Sequence, residues 1–349
     1  MLERLLIVGL GSIGTRHARL ARQILPGLQI AALRHGKGIA ETAPHVDRQF
    51  DSLEDALKFC PQAAVVANPA SMHVDIALRL ADAGIHLLIE KPISNSSERV
   101  QQLIDLCRDR NLVLMTGYNL RFSSSLQRYR ELVHQGLVGN ILSVRAEIGQ
   151  YLPSWRPNSD YRASVSASER LGGGVLLELS HEIDYLRWIF GEVEWVSAIL
   201  RKQSRLDIDV EDSAYLTLGF AAGSGTVPGI ASLVMDFVRH DTVRTCTVIG
   251  EVGTLRWNAL TGTVDIFREG ATGWEMLLTS PDQRDDTYVA EWHQFLECMQ
   301  GDATPVNSGQ DGLAVIRIIQ AARESSLRRE VVPVAAVIMT GIAAEEGLA

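Results

Sequence analysis

"LLIVGLGSIGTRHARLARQ", residues 5–23, decides how the first third of the chain folds. Leu5 to Val8 make an apolar run of buried-strand type, and Ile13, Leu20 and Ile24 recur at a helical spacing. Between them stands Gly9-x-Gly11-x-x-Gly14. The pattern alone is weak, but between a strand and a helix it has a mechanism. The first glycine allows a tight turn, the second lets a pyrophosphate approach the backbone, and the third lets helix and strand pack closely. The unpaired N–H groups and positive dipole end of the helix then hold the phosphates. The stretch predicts a Rossmann unit with Gly9, Gly11, Ser12, Ile13 and Gly14 around a dinucleotide.

The βα alternation continues outward. Leu28 to Leu33 reads as the second strand and ends where an adenosine ribose would lie. An acid there would bind a 2′-hydroxyl, but this chain has Arg34, then His35, Gly36 and Lys37. That composition suits a 2′-phosphate and leans the expected cofactor, NAD(P), toward NADP; Arg34 as a plain loop residue is the alternative. Ala63–Ala67, His86–Ile89 and Leu112–Thr116 read as strands, with helices over Ser71–Ala83 and Ser94–Arg108 and Ser71 as an N-cap. Such alternation implies a parallel sheet with helices on both faces, and ligands bind at the carboxyl ends of its strands. Asn68-Pro69, Glu90-Lys91-Pro92 and Gly117-Tyr118-Asn119 all fall there.

The 349 residues, 46% of them hydrophobic, suffice for two domains with their own cores. The net charge of −9 is spread along the chain, with no basic patch for nucleic acid and no polybasic stretch for a membrane surface. The opening MLERLLIVGLGS does not read as a signal peptide, and no run approaches the roughly 20 apolar residues of a membrane span. Cys60, Cys107, Cys246 and Cys298 are scattered without a CxxC pair. Reduced thiols in a cytoplasm, and no metal site, are expected.

From Ile141 the pattern changes to long β-type runs: 141–150, 194–201, 213–220, 225–237, 244–249, 254–257 and 263–268. Short turns such as Ala222–Gly225 and Gly250–Gly253 imply antiparallel neighbours. The fold class is therefore α/β, a Rossmann parallel sheet plus a second α/β domain with a large, open, mostly antiparallel sheet. Residues 1–120 form the nucleotide domain and 121–333 the substrate and oligomerisation domain; the tail, 334–349, has no assigned element. Late helices are expected near 286–300 and 310–327. A broad sheet with one uncovered face is an oligomer surface.

"GGGVLLELSHEIDYLRWIFG", residues 172–191, opens that second domain's most unusual helix. Leu179, Ile183, Leu186 and Phe190 make one apolar stripe, with Glu178, His181, Glu182 and Tyr185 on the neighbouring face. A zinc-protease helix is excluded, because Tyr185 stands where its second histidine would be. By itself the polar stripe could be a solvated surface.

"GLGSIG", "ANPASMH", "EKPIS", "GYNLRF" and the glycine-led helix occur in the order seen in the Gfo/Idh/MocA oxidoreductases, which the chain resembles over residues 3–333. The resemblance implies NAD(P)-dependent hydride transfer at a carbinol of a sugar, cyclitol or nucleotide sugar. It also implies a homodimer or homotetramer through the second sheet. Asn68, Pro69, His73, Glu90 and Lys91 would join the cofactor site. Lys91 matches the lysine of the EKP motif, and His181, three residues before Asp184, matches the helix histidine. The family commonly has Asp four residues before that histidine; here Glu178 stands three before it. A closer likeness, through "GQYLPSWRP" and "DYR", is to proteins of surface-sugar or nonulosonic-acid biosynthesis.

His181 is thereby the expected general base, Lys91 the group that stabilises alkoxide charge, and Glu178 the group that orients His181 or binds a second hydroxyl. Residues 151–162 carry Tyr151, Trp155, Arg156 and Arg162, either a loop for an anionic sugar or a surface loop anchored by Trp155. Tyr118, Asn119, Arg121 and Asp184 complete the expected substrate cleft. A cofactor-binding sensor without turnover, and a C=C or C=N reductase, are the competing functional classes.

Overall fold

The computed structural model describes residues 2–34, 43–157, 159–221 and 227–334. Among them, six strands form one parallel sheet: β1 (Arg4–Val8), β2 (Gln29–Leu33), β3 (Arg48–Phe50), β4 (Ala63–Val66), β5 (His86–Ile89) and β6 (Leu114–Thr116). Their spatial order is β3-β2-β1-β4-β5-β6. Leu5, Leu6, Ile7, Val65 and Leu88 are fully buried, as expected of strands covered on both faces. The crossovers are α1 (Ser12–Ile24), α2 (Leu53–Lys58), α3 (His73–Asp82) and α4 (Val100–Asp109). The strand order reverses between β1 and β4, which opens a crevice beyond Gly9 and Asn68.

β3 and α2 lie where the sequence reading placed nothing. The helix expected from Ser94 begins only at Val100, after Arg99 in a left-handed conformation (φ 58°). Ser71 lies inside a short 3-10 turn, Ala70–Met72, and does not cap a helix.

The second part begins with α5 (Ser124–His134), also unforeseen, and β7 (Ile141–Gly149). Two helices follow, α6 (Val175–Glu178) and α7 (His181–Phe190). Then come β8 (Val193–Arg201), β9 (Ser213–Phe220), β10 (Ile230–Asp236), β11 (Val243–Gly250), β12 (Gly253–Asn258), β13 (Thr263–Arg268) and β14 (Glu275–Thr279). The chain continues with α8 (Asp286–Gln300), α9 (Gly309–Arg328) and β15 (Val332–Pro333). Nine strands join in the order β14-β13-β12-β11-β7-β10-β9-β8-β15. All pairs are antiparallel except β7 with β10, which is parallel.

One face of this sheet is buried, with Val144, Leu216, Leu233, Cys246 and Trp257 in the same core as α5, α7 and α9. The opposite face exposes Ile199 and Tyr215, which are cross-strand partners on β8 and β9. α8 returns to the first sheet: its Trp292 and Phe295 share a core with Leu5, Ile7, Val65 and Leu88. A helix from late in the sequence thus covers one face of the first sheet. No described helix is long and apolar enough to cross a membrane.

Candidate active site

The dinucleotide loop has the geometry its glycines require. Gly9 has φ +91°, and a Cβ there would lie 2.9 Å from the Ala67 carbonyl oxygen. A Cβ on Gly14 would lie 1.9 Å from the Gly9 carbonyl oxygen, whereas one on Gly11 would meet nothing within 4 Å. The loop is thus closed on the protein side at Gly9 and Gly14 and open at Gly11. No side chain caps α1, so the first-turn N–H groups, those of Ser12, Ile13 and Gly14 among them, are left to bind an anion. Across the crevice, Oδ1 of Asn68 is buried without a partner. These features fit an NAD-type cofactor. Arg34 follows β2, as expected; His35, Gly36 and Lys37 lie outside the described residues.

Two expected cofactor residues have other duties. His73 is 1% exposed and sits between two backbone carbonyls, with Nε2 at 2.7 Å from Asn68 O and Nδ1 at 3.0 Å from Pro92 O. It braces the loops after β4 and β5 from behind, and burial pushes its pKa down. Glu90 is 7% exposed and faces His17 from α1, at 2.8 Å. Pro69 starts the 3-10 turn that leads into α3.

Lys91 follows β5 and is joined to Pro92 by a cis peptide. Its Nζ donates to the backbone carbonyl of Glu178 at 2.8 Å, which docks the second part of the chain on the mouth of the first. The glycine loop makes that approach possible. Gly172 (φ +84°) packs where a Cβ would be 3.2 Å from the Cβ atoms of Ala70 and Asn95. Gly174 (φ +103°) would place a Cβ 2.5 Å from Glu211 Oε1. Glu211 in turn accepts the Leu176 N–H at 3.1 Å and so fixes the start of α6.

The helix expected to run through Glu178 and His181 is broken between them. Glu178 ends α6 and His181 begins α7, with Leu179 and Ser180 in the joint. Their three-residue spacing therefore does not place them on one helical face. The Glu178 carboxylate accepts from Ser166 Oγ at 3.0 Å. His181 Nδ1 is buried and has no partner at all. The expected orienting bond from Glu178 to His181 is absent. The stripe is not a solvated face either, because Glu182 and Tyr185 are fully buried.

His181 lies edge-on to Tyr118, with ring centroids 5.6 Å apart. Burial depresses its pKa well below the usual histidine range, and the positive charges of Lys91 and Arg244 push it the same way. The ring is neutral near pH ~7 and able to accept a proton. Arg244, on β11, points to the same side as Cys246 and Val248, where it pairs with Glu182 at 2.8 Å. The sequence reading missed it, although strand alternation puts this arginine on the apolar face.

The rest of the expected substrate cleft is divided. Tyr118 is fully buried and its hydroxyl donates to Ser180 Oγ at 3.4 Å. Asn119 donates to Thr287 at 2.7 Å. Arg121 and Asp184 are 2% and 1% exposed and hold each other through two bonds, of 2.9 and 2.6 Å. Asp311 joins at 3.2 Å from Arg121 and 2.8 Å from Arg187. Arg121 and Asp184 are thus closed off from the cleft expected for them, because each is the other's bidentate partner. In the loop, Tyr151 stacks on His240 with centroids 4.3 Å apart, and Trp155 packs edge-on against Phe237 at 5.2 Å. Arg156 is exposed, and exposed Arg162 pairs with Asp160 at 2.8 Å. Among the described residues, no cluster of three or more His, Cys, Asp or Glu could hold a metal ion.

Sequence and structure comparisons bear on the family and the fold. A family model described as "Oxidoreductase family, NAD-binding Rossmann fold" matches residues 4–118, and its partner, "Oxidoreductase family, C-terminal alpha/beta domain", matches 130–334. Myo-inositol 2-dehydrogenase of Thermotoga maritima is 25% identical over 338 residues, 92% of this chain and 96% of that protein. Levoglucosan dehydrogenase of Pseudarthrobacter phenanthrenivorans is 33% identical over 141 residues, only 39% of this chain and 34% of that protein. The solved structure "Levoglucosan dehydrogenase, complex with NADH" superposes with a TM-score of 0.83 at 21% identity, covering 96% of this chain and all of that one, which establishes a shared fold. With both family models matching in order across nearly the whole chain, it belongs to the Gfo/Idh/MocA family of oxidoreductases.

Proposed function

We propose that the protein transfers a hydride between a nicotinamide cofactor and the carbinol or carbonyl carbon of a sugar, cyclitol or nucleotide sugar. The observation that carries this reading is the buried, unpartnered Nδ1 of His181, on a ring kept neutral beside Lys91 at the mouth of the nucleotide crevice. A buried polar atom without a partner is costly unless a ligand completes it. Bound NAD supplies the hydride acceptor. His181 takes the hydroxyl proton of the alcohol, and Lys91 donates a hydrogen bond to the same oxygen, so the developing negative charge is stabilised. In reduction the protonated imidazole returns that proton. Glu178, held by Ser166, has a carboxylate suited to a second hydroxyl of a polyol. Exposed Arg156 is the loop's group for an anionic substituent.

Purified protein with NAD⁺ or NADP⁺ and a panel beginning with myo-inositol and levoglucosan tests the reading. His181→Ala and Lys91→Ala are each expected to lower turnover by about 10²-fold or more while NADH still binds. Near wild-type turnover in either variant removes that residue from the chemistry. Bound cofactor that never changes redox state with any substrate would favour a sensor.

Arg34 supports a preference for NADP(H). Fluorescence titration should find NADPH binding about 10-fold tighter than NADH, roughly 1.4 kcal/mol, and equal binding would refute it. The open sheet face, with Ile199, Tyr215 and Ile230 exposed in adjacent strands, supports a second copy of the chain as its cover. A monomer in sedimentation at working concentration would exclude that assembly.

A further inference from the structure

We propose that His17 is a positioning residue for Lys91, acting through Glu90 and held in one tautomer by Trp292. The inference rests on the reading of Lys91 as a group that contacts the reacting oxygen. Nε1–H of Trp292 donates to Nδ1 of His17 at 3.0 Å. An indole nitrogen can only donate, so Nδ1 is an acceptor and the ring proton sits on Nε2. Nε2–H then donates to Glu90 Oε1 at 2.8 Å. The other carboxylate oxygen, Oε2, accepts the backbone N–H of Lys91 at 3.1 Å. At its far end Lys91 donates to the Glu178 carbonyl at 2.8 Å.

The lysine is therefore held at its backbone by a relay and at its tip by the second part of the chain. The relay is dry: His17 and Trp292 are fully buried and Glu90 is 7% exposed. Tyr288 closes it from the side, edge-on to His17 with centroids 5.8 Å apart. In so dry a setting each bond restrains its neighbours, and a lost donor is not replaced by water. The relay also gives α8 a purpose beyond covering the first sheet. A helix from near the end of the chain supplies the indole that fixes a histidine in the first dinucleotide helix.

Filling space is the competing explanation for His17, and two amides separate it from positioning. In His17→Gln the longer side chain carries an N–H to about where Nε2–H stood and keeps the bond to Glu90. In His17→Asn the side chain reaches only to the level of Nδ1 and the bond is lost. The readout needs no substrate. The intact protein is acetylated with limiting acetic anhydride, and peptides containing Lys91 are compared by mass spectrometry with those containing Lys58 and Lys202. His17→Asn should raise Lys91 labelling relative to those two by about threefold or more, the scale of one lost hydrogen bond, and His17→Gln should restore the wild-type ratio.

Should His17→Asn not fold, Glu90→Gln, whose amide has one acceptor oxygen for the two donors His17 Nε2–H and Lys91 N–H and so cannot carry the relay, should raise the same ratio. An unchanged ratio in the variants that fold overturns the proposal, as does an equal rise in His17→Asn and His17→Gln. Wild-type turnover in Lys91→Ala, alongside the expected labelling, would remove the catalytic reading and leave the positioning of Lys91 standing.

Discussion

Two charged clusters stand at α7 and are opposite in kind. At its first residue, His181 has a buried nitrogen with no partner, and Lys91 nearby spends one donor on a backbone carbonyl. One turn later, Asp184 has both oxygens on Arg121, and Asp311 links Arg121 to Arg187. The same sequence motif names both residues, yet one cluster is incomplete and the other is saturated. Partner count separates a residue with a free buried nitrogen from one whose every oxygen ties the chain together.

The sharpest way to break that distinction is to remove one partner from the saturated side. Arg121→Met leaves Asp184 buried and unpaired, and should cost roughly 3–5 kcal/mol in urea unfolding. His181→Ala, on the incomplete side, should shift stability by under about 1 kcal/mol while turnover collapses. If Arg121→Met were instead stable and only raised the Michaelis constant for the sugar, Arg121 would belong to the cleft.

A smaller effect compares two glycines. Gly174→Ala meets Glu211 and forces φ +103° on a residue with a Cβ, so a cost of about 1–3 kcal/mol is expected. Gly11→Ala meets nothing within 4 Å, so the free protein should lose under about 0.5 kcal/mol. Its NADH affinity should fall about tenfold, or roughly 1.4 kcal/mol, because the methyl group occupies the open side of the phosphate loop. Unchanged affinity in Gly11→Ala would place the pyrophosphate elsewhere.

The parallel sheet was legible because each of its main strands is a continuous apolar run ending in punctuation, as at Val8-Gly9 and Ala67-Asn68-Pro69. β3 was not, since Arg48–Phe50 is short and half-buried at an edge. The candidate site was legible in its letters and less so in its joints. Lys91 and His181 could be named from their motifs. The break at Leu179-Ser180 could not, because "LLELSHEIDYL" satisfies a helical period on both sides of it. Nor could His17, which reads as one more residue of an amphipathic helix; only the return of α8 shows what it faces. Long-range partners decide these roles, and periodicity carries no information about them.

The smallest expected effect contrasts how the two clusters respond to acid. His181 is shifted toward its neutral form, so the base role proposed for it predicts that oxidative turnover, measured against pH, holds below the usual histidine range. Asp311 moves the other way in charge: burial alone would raise it, but Arg121 and Arg187 hold it down at about 2, from an ordinary 3.8. A folded pKa below the unfolded one contributes stability that is complete above about 4 and is lost as pH falls through about 2. Asp184 opposes this, because burial raises it against the pull of Arg121, so the total acid response mixes two signs. Asp311→Asn separates them. Below the unfolded pKa the wild-type urea midpoint should fall more steeply with acid than that of Asp311→Asn, and the two should run parallel above about pH 5. Parallel curves over the whole range would mean that Asp311 has the same pKa folded and unfolded, and that Arg121 and Arg187 do not favour its charged form as their geometry indicates.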